Sequence, residues 1–252
     1  MNLINGLKLW SINNNYIESA IKLFKKNIYS YIEIYIKPGS FKDYINIWGN
    51  LNIPFIIHAP HFGDGLNFSL KEKFDSNKKM ALESIEFTER LKAKYIIFHP
   101  GVNGDIKETI NQLKQINDKR VIIENKPHFG LNNENCIGHS PNDIKMIIEE
   151  TGFGFCLDIG HAICSANSKN INPLDYIESF IDLKPVMYHL TDGDYYSQYD
   201  SHLHFGEGNY PIKEIVKMIK PEKMVTNEAK KKSLDNLDDF IIDMEYLKKI
   251  DN

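Results

Sequence analysis

Short apolar runs recur along the chain, at about residues 6–11, 30–36, 54–58, 94–99, 120–124, 153–158, 185–190 and 222–227. They are rich in β-branched and aromatic residues, too brief for helices and mostly bounded by Gly, Pro or Asn, so they predict eight strands. Residues 15–28 and 75–92 instead carry apolar positions at helical spacing. Strand and helix alternating eight times predict an α/β fold, a single (β/α)8 TIM barrel over residues 1–252.

A further helix is predicted from its end signals. Ser140 suits the N-cap, Pro141 the first helical position and Asp143 the first turn, while Gly152 is typical of a helix end. The longest irregular stretches are predicted at about 59–70, 125–139, 160–172 and 191–210. All four follow strands, on the face where such barrels carry their sites.

Polar side chains follow a simple rule along these strands. Six of the apolar runs stop at, or within one residue of, a His, Asp or Glu: His58, His99, Glu124, Asp158, His189 and Glu228. One such residue alone is more often structural or solvated. Six in a row predict a shared polar cavity at the carboxyl ends of the strands.

Two short-range pairs extend this set. His161 follows Asp158 by three residues, and Asp200-Ser201-His202 lies in the loop after the seventh strand. An alternative for the first pair is that Asp158 caps the next turn while His161 bonds locally. Imidazole and carboxylate ligands without thiolates suit zinc, manganese or iron, whereas magnesium and calcium prefer oxygen ligands.

Composition narrows the function classes. A net charge of −4 argues against a generally basic nucleic-acid-binding surface. Cys136, Cys156 and Cys164 are odd in number and lack C-x-x-C spacing, which argues against a disulfide framework and against a thiolate zinc site. No secretory leader pattern and no apolar run of roughly 18 residues is present, so we expect a cytoplasmic protein without a membrane partner.

Seven motifs in order carry a family resemblance. They are HAPH (58–61), FHPG (98–101), ENKP (124–127), LDIGHA (157–162), HLTD (189–192), DSHLHFGEG (200–208) and TNEA (226–229). Together they resemble the motifs of the xylose isomerase-like TIM barrels, a superfamily that contains endonuclease IV and many sugar epimerases. The resemblance extends over about residues 54–229.

The endonuclease IV pattern implies three groups of metal ligands. His58 and His99 would hold one ion, with Glu124 bridging to a second ion. Asp158, His189 and Glu228 would complete the second, and His161, Asp200 and His202 would hold a third. The resemblance therefore implies divalent metal ions as cofactors, up to three per chain, with zinc expected first and manganese or iron as alternatives.

Several positions depart from the endonuclease pattern. Residues 7–11, LKLWS, stand where it has Gly-x-His-x-Ser, Ser201 replaces the Arg of Asp-Arg-His, and His61 replaces the usual aromatic after His-Ala-Pro. No DNA-contacting insertion follows the second strand, which continues only as YIKPGSF. We therefore expect a small phosphorylated or sugar substrate in preference to abasic DNA, and leave the oligomeric state open.

Charge favours one of two chemistries. Three divalent ions among Glu124, Asp158, Asp200 and Glu228 leave a net charge of about +2, which suits hydrolysis of a phosphoester by a metal-activated hydroxide. The alternative is a sugar or sugar-phosphate isomerase or epimerase, in which Glu124 and Glu228 move a proton around one divalent ion. A non-catalytic ligand-binding barrel is the third hypothesis. In either enzyme, Glu124 and Glu228 are the candidate catalytic residues.

Three more side chains are candidates for substrate contact: His61, His204 and Glu33. The two histidines neighbour predicted ligands, and each has the alternative of a supporting or solvated role. Glu33 alternates with Ile32 and Ile34, so it points either into the barrel or outward towards a helix. Lys8 and Trp10 on the first strand share that ambiguity.

Overall fold

The computed structural model describes residues 3–250, in which eight parallel strands close into a barrel. The strands are β1 Ile4–Trp10, β2 Tyr31–Tyr35, β3 Phe55–His58, β4 Ile96–Phe98, β5 Val121–Glu124, β6 Gly154–Asp158, β7 Met187–Leu190 and β8 Met224–Asn227. Each strand pairs with its neighbour in chain order, and β8 pairs with β1. This confirms the predicted (β/α)8 TIM barrel.

The connections between strands are helical. The helices are α1 Ile17–Lys25, α2 Phe41–Gly49, α3 Phe74–Leu91, α4 Ile106–Leu113, α5 Pro141–Thr151, α6 Ile159–Ser168, α7 Pro173–Ile181, α8 Ile212–Met218 and α9 Asp238–Ile250. The end signals of α5 act as predicted, because Ser140 Oγ accepts a hydrogen bond from Asp143 N at 3.1 Å and Gly152 ends the helix with a φ of 72°. The segment predicted as one helix over 15–28 is a 3-10 turn, Asn14–Tyr16, followed by α1.

One predicted loop is wrong. Residues 160–172 were expected to be irregular, yet α6 occupies Ile159–Ser168 and α7 begins at Pro173. Residues 159–166, most of α6, are buried, so this part of the helix has no solvent-exposed face. Since helical periodicity shows only where one face meets water, the pattern of α6 gives no sign of a helix.

Side chains on the strands alternate between two apolar regions. Those pointing outward pack under the helices, as Leu7 and Leu9 of β1 do. A smaller cluster lies inside the barrel: Tyr31, Ile56, Ile97, Ile122, Cys156, Met187 and Met224. This inner cluster closes the lumen beneath the carboxyl ends of the strands.

The predicted ligands lie directly above that inner cluster. Residues i and i+2 of a strand point to the same side. His58, His99, Glu124, Asp158 and His189 each follow a member of the cluster by two residues. The same alternation that fills the lumen with apolar side chains therefore directs five ligand side chains into one cavity.

Two other features bear on function. Cys136, Cys156 and Cys164 are buried free thiols. Within residues 3–250, every helix is too short or too polar to cross a membrane.

Candidate metal centre

Glu124 lies at the middle of the site. Its Oε2 is 3.1 Å from His58 Nε2 and 3.0 Å from His99 Nε2, and its Oε1 is 3.2 Å from His161 Nδ1. The Glu124 side chain is buried at the end of β5. Its two oxygens therefore face different groups of histidines.

His189 brings together the second group. Its Nδ1 is 2.9 Å from Glu228 Oε1, 3.4 Å from Glu124 Oε2 and 3.8 Å from Asp158 Oδ2. The three carboxylates come from the ends of β5 and β6 and from the residue after β8. They converge on one imidazole nitrogen.

The third group is contributed partly by the long loop after β7. Asp200 Oδ2 lies 2.8 Å from His202 Nε2 and 3.4 Å from His161 Nε2. His202 Nδ1 is 3.9 Å from Glu228 Oε2, which joins this group to the second. The structure thus brings all nine sequence-predicted ligands into one continuous cluster.

A hydrogen bond at one nitrogen of each of three rings fixes which nitrogen carries the proton. Nδ1–H of His58 donates to Ala59 O at 2.7 Å, and Nδ1–H of His161 donates to Asn125 O at 2.8 Å. Nε2 of His189 lies 3.0 Å from Glu33 Oε2. In a neutral ring the remaining nitrogen then carries a lone pair directed towards carboxylate oxygens. Such a lone pair and a carboxylate oxygen attract each other only when a proton or a metal ion lies between them.

Several buried polar atoms of the cluster also lack hydrogen-bond partners among residues 3–250. They are both ring nitrogens of His99, Nδ1 of His189, both carboxylate oxygens of Asp200 and Nδ1 of His202. Buried polar atoms in native proteins are rarely left without a partner. The donor set and its unpaired atoms both fit divalent metal ions, with imidazole and carboxylate ligands of the kind that zinc accepts.

Asp158 both caps the helix that follows it and faces the ligand cluster, the two roles that its position in the sequence suggested. Its Oδ1 accepts a hydrogen bond from His161 N at 2.7 Å and caps α6, while its Oδ2 faces His189. Asn125 holds the same backbone in place, because its Oδ1 accepts from Asp158 N at 2.7 Å and its Nδ2 donates to Asp158 O at 2.9 Å. Capping therefore positions the Asp158 carboxylate at the cluster.

Asp192 orders the loop that carries Asp200 and His202. Its Oδ1 accepts from the backbone of Gly193 and Tyr210, and its Oδ2 accepts from Gly206 N at 2.8 Å. His202 itself has a φ of 50°, in the left-handed region that few non-glycine residues adopt. Asp192 is the last residue of the HLTD motif, whose sequence alone gives no sign of this role.

Proximity shifts the pKa values within the cluster. Burial would raise the pKa of Glu124, but His99 and His189 hold it well below its usual range. Burial lowers the pKa of His99. Burial would also lower the pKa of His202, yet contact with Asp200 raises it to about 9.

Lys8 and Glu33 both point into the barrel and not outward towards a helix, the alternative that the sequence left open. They are opposite each other in the pairing of β1 with β2, and Lys8 Nζ lies 2.8 Å from Glu33 Oε1 and also contacts Glu228. Burial opposes a charged lysine, but Glu228 and Glu33 raise the pKa of Lys8 above its usual value. Thr226 Oγ1 donates to Glu33 Oε2 at 2.7 Å. Glu33 is fully buried beneath His189 and is not among the residues that line the cavity.

A cavity of about 650 Å³ opens above the cluster. His61 lines it, and His61 Nδ1 accepts a hydrogen bond from Gly63 N at 2.9 Å. Trp10, which is 49% exposed, forms part of the rim. His204 is not among the lining residues, since its two ring nitrogens bond to Asp243 Oδ2 and Lys230 O. These contacts tie the loop after β7 to α9.

Cys156 is a neighbour of the centre that its spacing did not predict. Ligand atoms of Glu124, Cys156 and His189 lie within 4.8 Å of one another. Burial raises the pKa of the Cys156 thiol to about 12, so the sulfur keeps its proton at neutral pH. A protonated thiol is a poor metal ligand, and the imidazole and carboxylate set remains the better one.

A comparison with protein families identifies the fold family. The profile of the xylose isomerase-like TIM barrel matches residues 32–250. The chain belongs to this family. The family includes endonuclease IV and sugar isomerase-like enzymes, so the resemblance of its motifs is confirmed at this level.

The individual relatives include both endonucleases and an epimerase-like protein. The chain is 28% identical over 203 residues to a probable endonuclease 4 from Thermoplasma volcanium, covering 72% of this chain and 70% of that protein. Among solved structures, a D-tagatose 3-epimerase-like protein has a TM-score of 0.71 at 20% identity, covering 97% of this chain and 96% of its own. Endonuclease IV from Thermus thermophilus also has a TM-score of 0.71, at 15% identity and 98% coverage of both chains. At these identities the structural neighbours establish the fold alone.

Proposed function

We propose that this chain is a metal-dependent phosphoester hydrolase with a multinuclear centre of up to three divalent ions, zinc in first place. One observation carries the proposal: Glu124 Oε2 lies 3.1 Å from His58 Nε2, 3.0 Å from His99 Nε2 and 3.4 Å from His189 Nδ1, so the carboxylate joins the first ligand group to the second. A carboxylate so placed suits a bridge between ions. A centre with one ion gives these three histidines no shared purpose.

The remaining ligands divide as the motifs imply. Glu124 would share a second ion with Asp158, His189 and Glu228, and the third ion would be held by His161, Asp200 and His202. Bound ions of this kind act as Lewis acids on a phosphoryl oxygen and lower the pKa of bound water. The protein's part is to orient these ligands and to shield them from bulk water, which the burial of Glu124 and the carbonyl contacts of His58 and His161 accomplish.

Net charge supports a phosphate substrate. The four carboxylates of the cluster offset only part of the charge of three divalent ions, which leaves a positive centre. Lys8 is balanced by Glu33 and adds no net charge of its own. An anionic phosphoryl group is the natural partner of such a centre.

A sugar or sugar-phosphate isomerase or epimerase is the second candidate. It is favoured by the position of Glu124 and Glu228, which both line the cavity and both lie near His189 Nδ1. A proton shuttle between them would need Glu228 to gain and lose a proton freely. Contact with the Lys8 ammonium works against that, so we rank this reaction second.

A small substrate suits the surface around the site better than abasic DNA. The connection between β2 and α2 consists of residues 36–40, with no room for a DNA-contacting insertion. The cavity volume of about 650 Å³ is in the range of small-molecule sites. A duplex with an abasic site remains a necessary arm of the test because one relative is a probable endonuclease 4.

The test is a substrate panel with metal-replete protein and Glu124→Gln as the inactive control. We expect phosphate or alcohol release from small phosphoesters, and none in the control. Deuterium incorporation beside the carbonyl of a ketose in heavy water, without any phosphoester cleavage, would establish the isomerase instead. No turnover on phosphoesters, abasic duplex or ketoses would favour a ligand-binding barrel.

A further inference from the structure

Lys126 is a buried cation at the cavity wall, and Asp200 is an anion on which its charge acts at longer range. It follows Glu124 by two residues, is only 7% exposed and lines the cavity. Its backbone is fixed, because Lys126 N donates to Gly138 O and Ser165 Oγ donates to Lys126 O. Among residues 3–250, however, the ammonium forms no ion pair and no hydrogen bond.

Three of the four other lysines that line the cavity have partners, and the fourth, Lys230, is exposed to solvent. Lys8 contacts Glu33 and Glu228, Lys37 Nζ lies 2.5 Å from Asp64 Oδ1, and Lys231 Nζ donates to Ala229 O at 3.0 Å. Buried charges in native proteins are ordinarily paired, because an unpaired one loses its hydration without compensation. We therefore expect the Lys126 ammonium to pair with an anionic group of a ligand that binds in the cavity.

His61 offers a second hydrogen-bond donor at the same wall. Its Nδ1 accepts from Gly63 N–H, so the neutral ring carries its proton on Nε2. Among the described residues, none bonds to that Nε2–H. The ring is stacked on His99 with 5.8 Å between centroids, which places it beside the ligand cluster. Burial, followed by the charge of Lys126, lowers the pKa of His61 to about 3, in keeping with a neutral ring near the ammonium.

We propose that Lys126 and His61 bind the non-bridging oxygens of a phosphate monoester on a small molecule, and that this group is the substrate's scissile phosphate. The inference rests on the proposed function and narrows its substrate class. A monoester carries close to two negative charges at neutral pH, whereas a diester carries one. With three divalent ions bound, the ligand cluster is positive. The Lys126 ammonium adds a further positive charge that can pair with the second negative charge of a monoester. A phosphodiester in a nucleic acid lacks this second negative charge.

Binding of inorganic phosphate tests this directly. Protein purified without chelators, with its metal content measured, is titrated calorimetrically with phosphate at pH 7.5. Lys126→Met keeps an unbranched side chain and removes the charge, so we expect phosphate affinity to fall about tenfold or more with metal content unchanged. His61→Phe keeps the stacked ring and removes the donor, and we expect a loss of about three- to tenfold.

Two comparisons sharpen the result. Lys37→Met is the matched control, since Lys37 lines the same cavity but is paired with Asp64, and its phosphate affinity should stay within about twofold of wild type. Dimethyl phosphate, a diester monoanion, should bind the wild type about tenfold more weakly than phosphate and should be less affected by Lys126→Met.

The stability of Lys126→Met distinguishes a ligand-binding lysine from a structural one, because the two roles predict opposite shifts of the urea midpoint. In metal-replete protein without phosphate, removal of an unpaired buried charge should raise the urea midpoint of Lys126→Met, whereas loss of a structural contact would lower it. Unchanged phosphate affinity in Lys126→Met, a lowered urea midpoint, or no phosphate binding by the wild type at millimolar concentrations would overturn the inference. If phosphate binding depends on Lys126 but no phosphoester is cleaved, the inference stands and only the proposed hydrolysis fails.

Discussion

Glu33 holds His189 in place from beneath the candidate metal centre. Glu33 Oε2 lies 3.0 Å from His189 Nε2, and both side chains are fully buried inside the barrel. Donation from Nε2–H to Glu33 leaves Nδ1 of the ring directed at Glu124 and Glu228. A carboxylate behind a metal-binding histidine fixes the ring's tautomer and orientation and increases its basicity.

Glu33→Gln is therefore expected to weaken metal binding while keeping the side chain's size. The loss should be about 10- to 100-fold in affinity, the usual effect of removing a partner behind a ligand. Competition with a chromophoric chelator measures it. Thr226→Val is the control, since it removes the other hydrogen bond to Glu33 Oε2 and leaves the charge intact. Equal affinities in Glu33→Gln and wild type would show that His189 needs no such support.

Lys8→Met tests the charge balance at the bottom of the cavity. Without Lys8, the buried carboxylates of Glu33 and Glu228 lose their shared cation, and metal-free protein should lose about 3–5 kcal/mol of unfolding free energy. Added metal should recover part of the loss, because Glu228 then has another cation.

The matched control for Lys8→Met is Lys114→Met, which breaks an exposed ion pair with Glu150. That substitution should cost less than about 1 kcal/mol. Urea unfolding of chelator-treated and metal-loaded protein gives both values. Similar small losses in the two variants would mean that the Lys8 contacts contribute little to the fold.

The sequence predicted the barrel and the common location of the candidate ligands because one alternation governs both. The lumen residues Ile56, Ile97 and Ile122 are followed two positions later by His58, His99 and Glu124, so the strand period alone points them into one cavity. Strand ends and ligand residues were thus recognisable together.

Other features depend on information that the local pattern lacks. Every residue of β2 is buried, so no apolar and polar alternation reveals that Glu33 faces inward. The buried helix α6 has the same difficulty. The unpaired state of Lys126 is a property of its surroundings, although the ENKP motif placed a lysine two residues after a ligand. Only the folded chain shows which charges meet.

His202 should make the stability of the metal-free protein depend on pH. Burial would lower its pKa, but Asp200 raises it to about 9, above the value of about 6.5 for an unfolded histidine. The folded form therefore binds the extra proton, and the stabilisation is complete below about pH 6.5 and lost as the pH rises through 9.

Urea unfolding of chelator-treated protein between pH 6.5 and 9.5 measures this effect. Relative to His202→Gln, the wild type should lose on the order of 1–3 kcal/mol across that range. Parallel stability curves for the two proteins would show that the His202–Asp200 contact does not shift the titration.

Asp200→Asn should remove one ion and leave the others. Asp200 lies within ion-pair distance of His161 and His202, the other two ligands assigned to the third ion. Loss of its charge should therefore weaken the third group alone, and the metal content should fall by about one ion per chain. A loss of all metal would mean that the three groups do not bind separately.

The number of metal ions per chain tests the central claim most directly. Protein purified without chelators is titrated to saturation with zinc, and its metal content is measured by inductively coupled plasma mass spectrometry. We expect about three ions per chain, one for each of the three ligand groups around Glu124. Saturation at one ion, with no further uptake, would contradict the multinuclear centre and favour the isomerase.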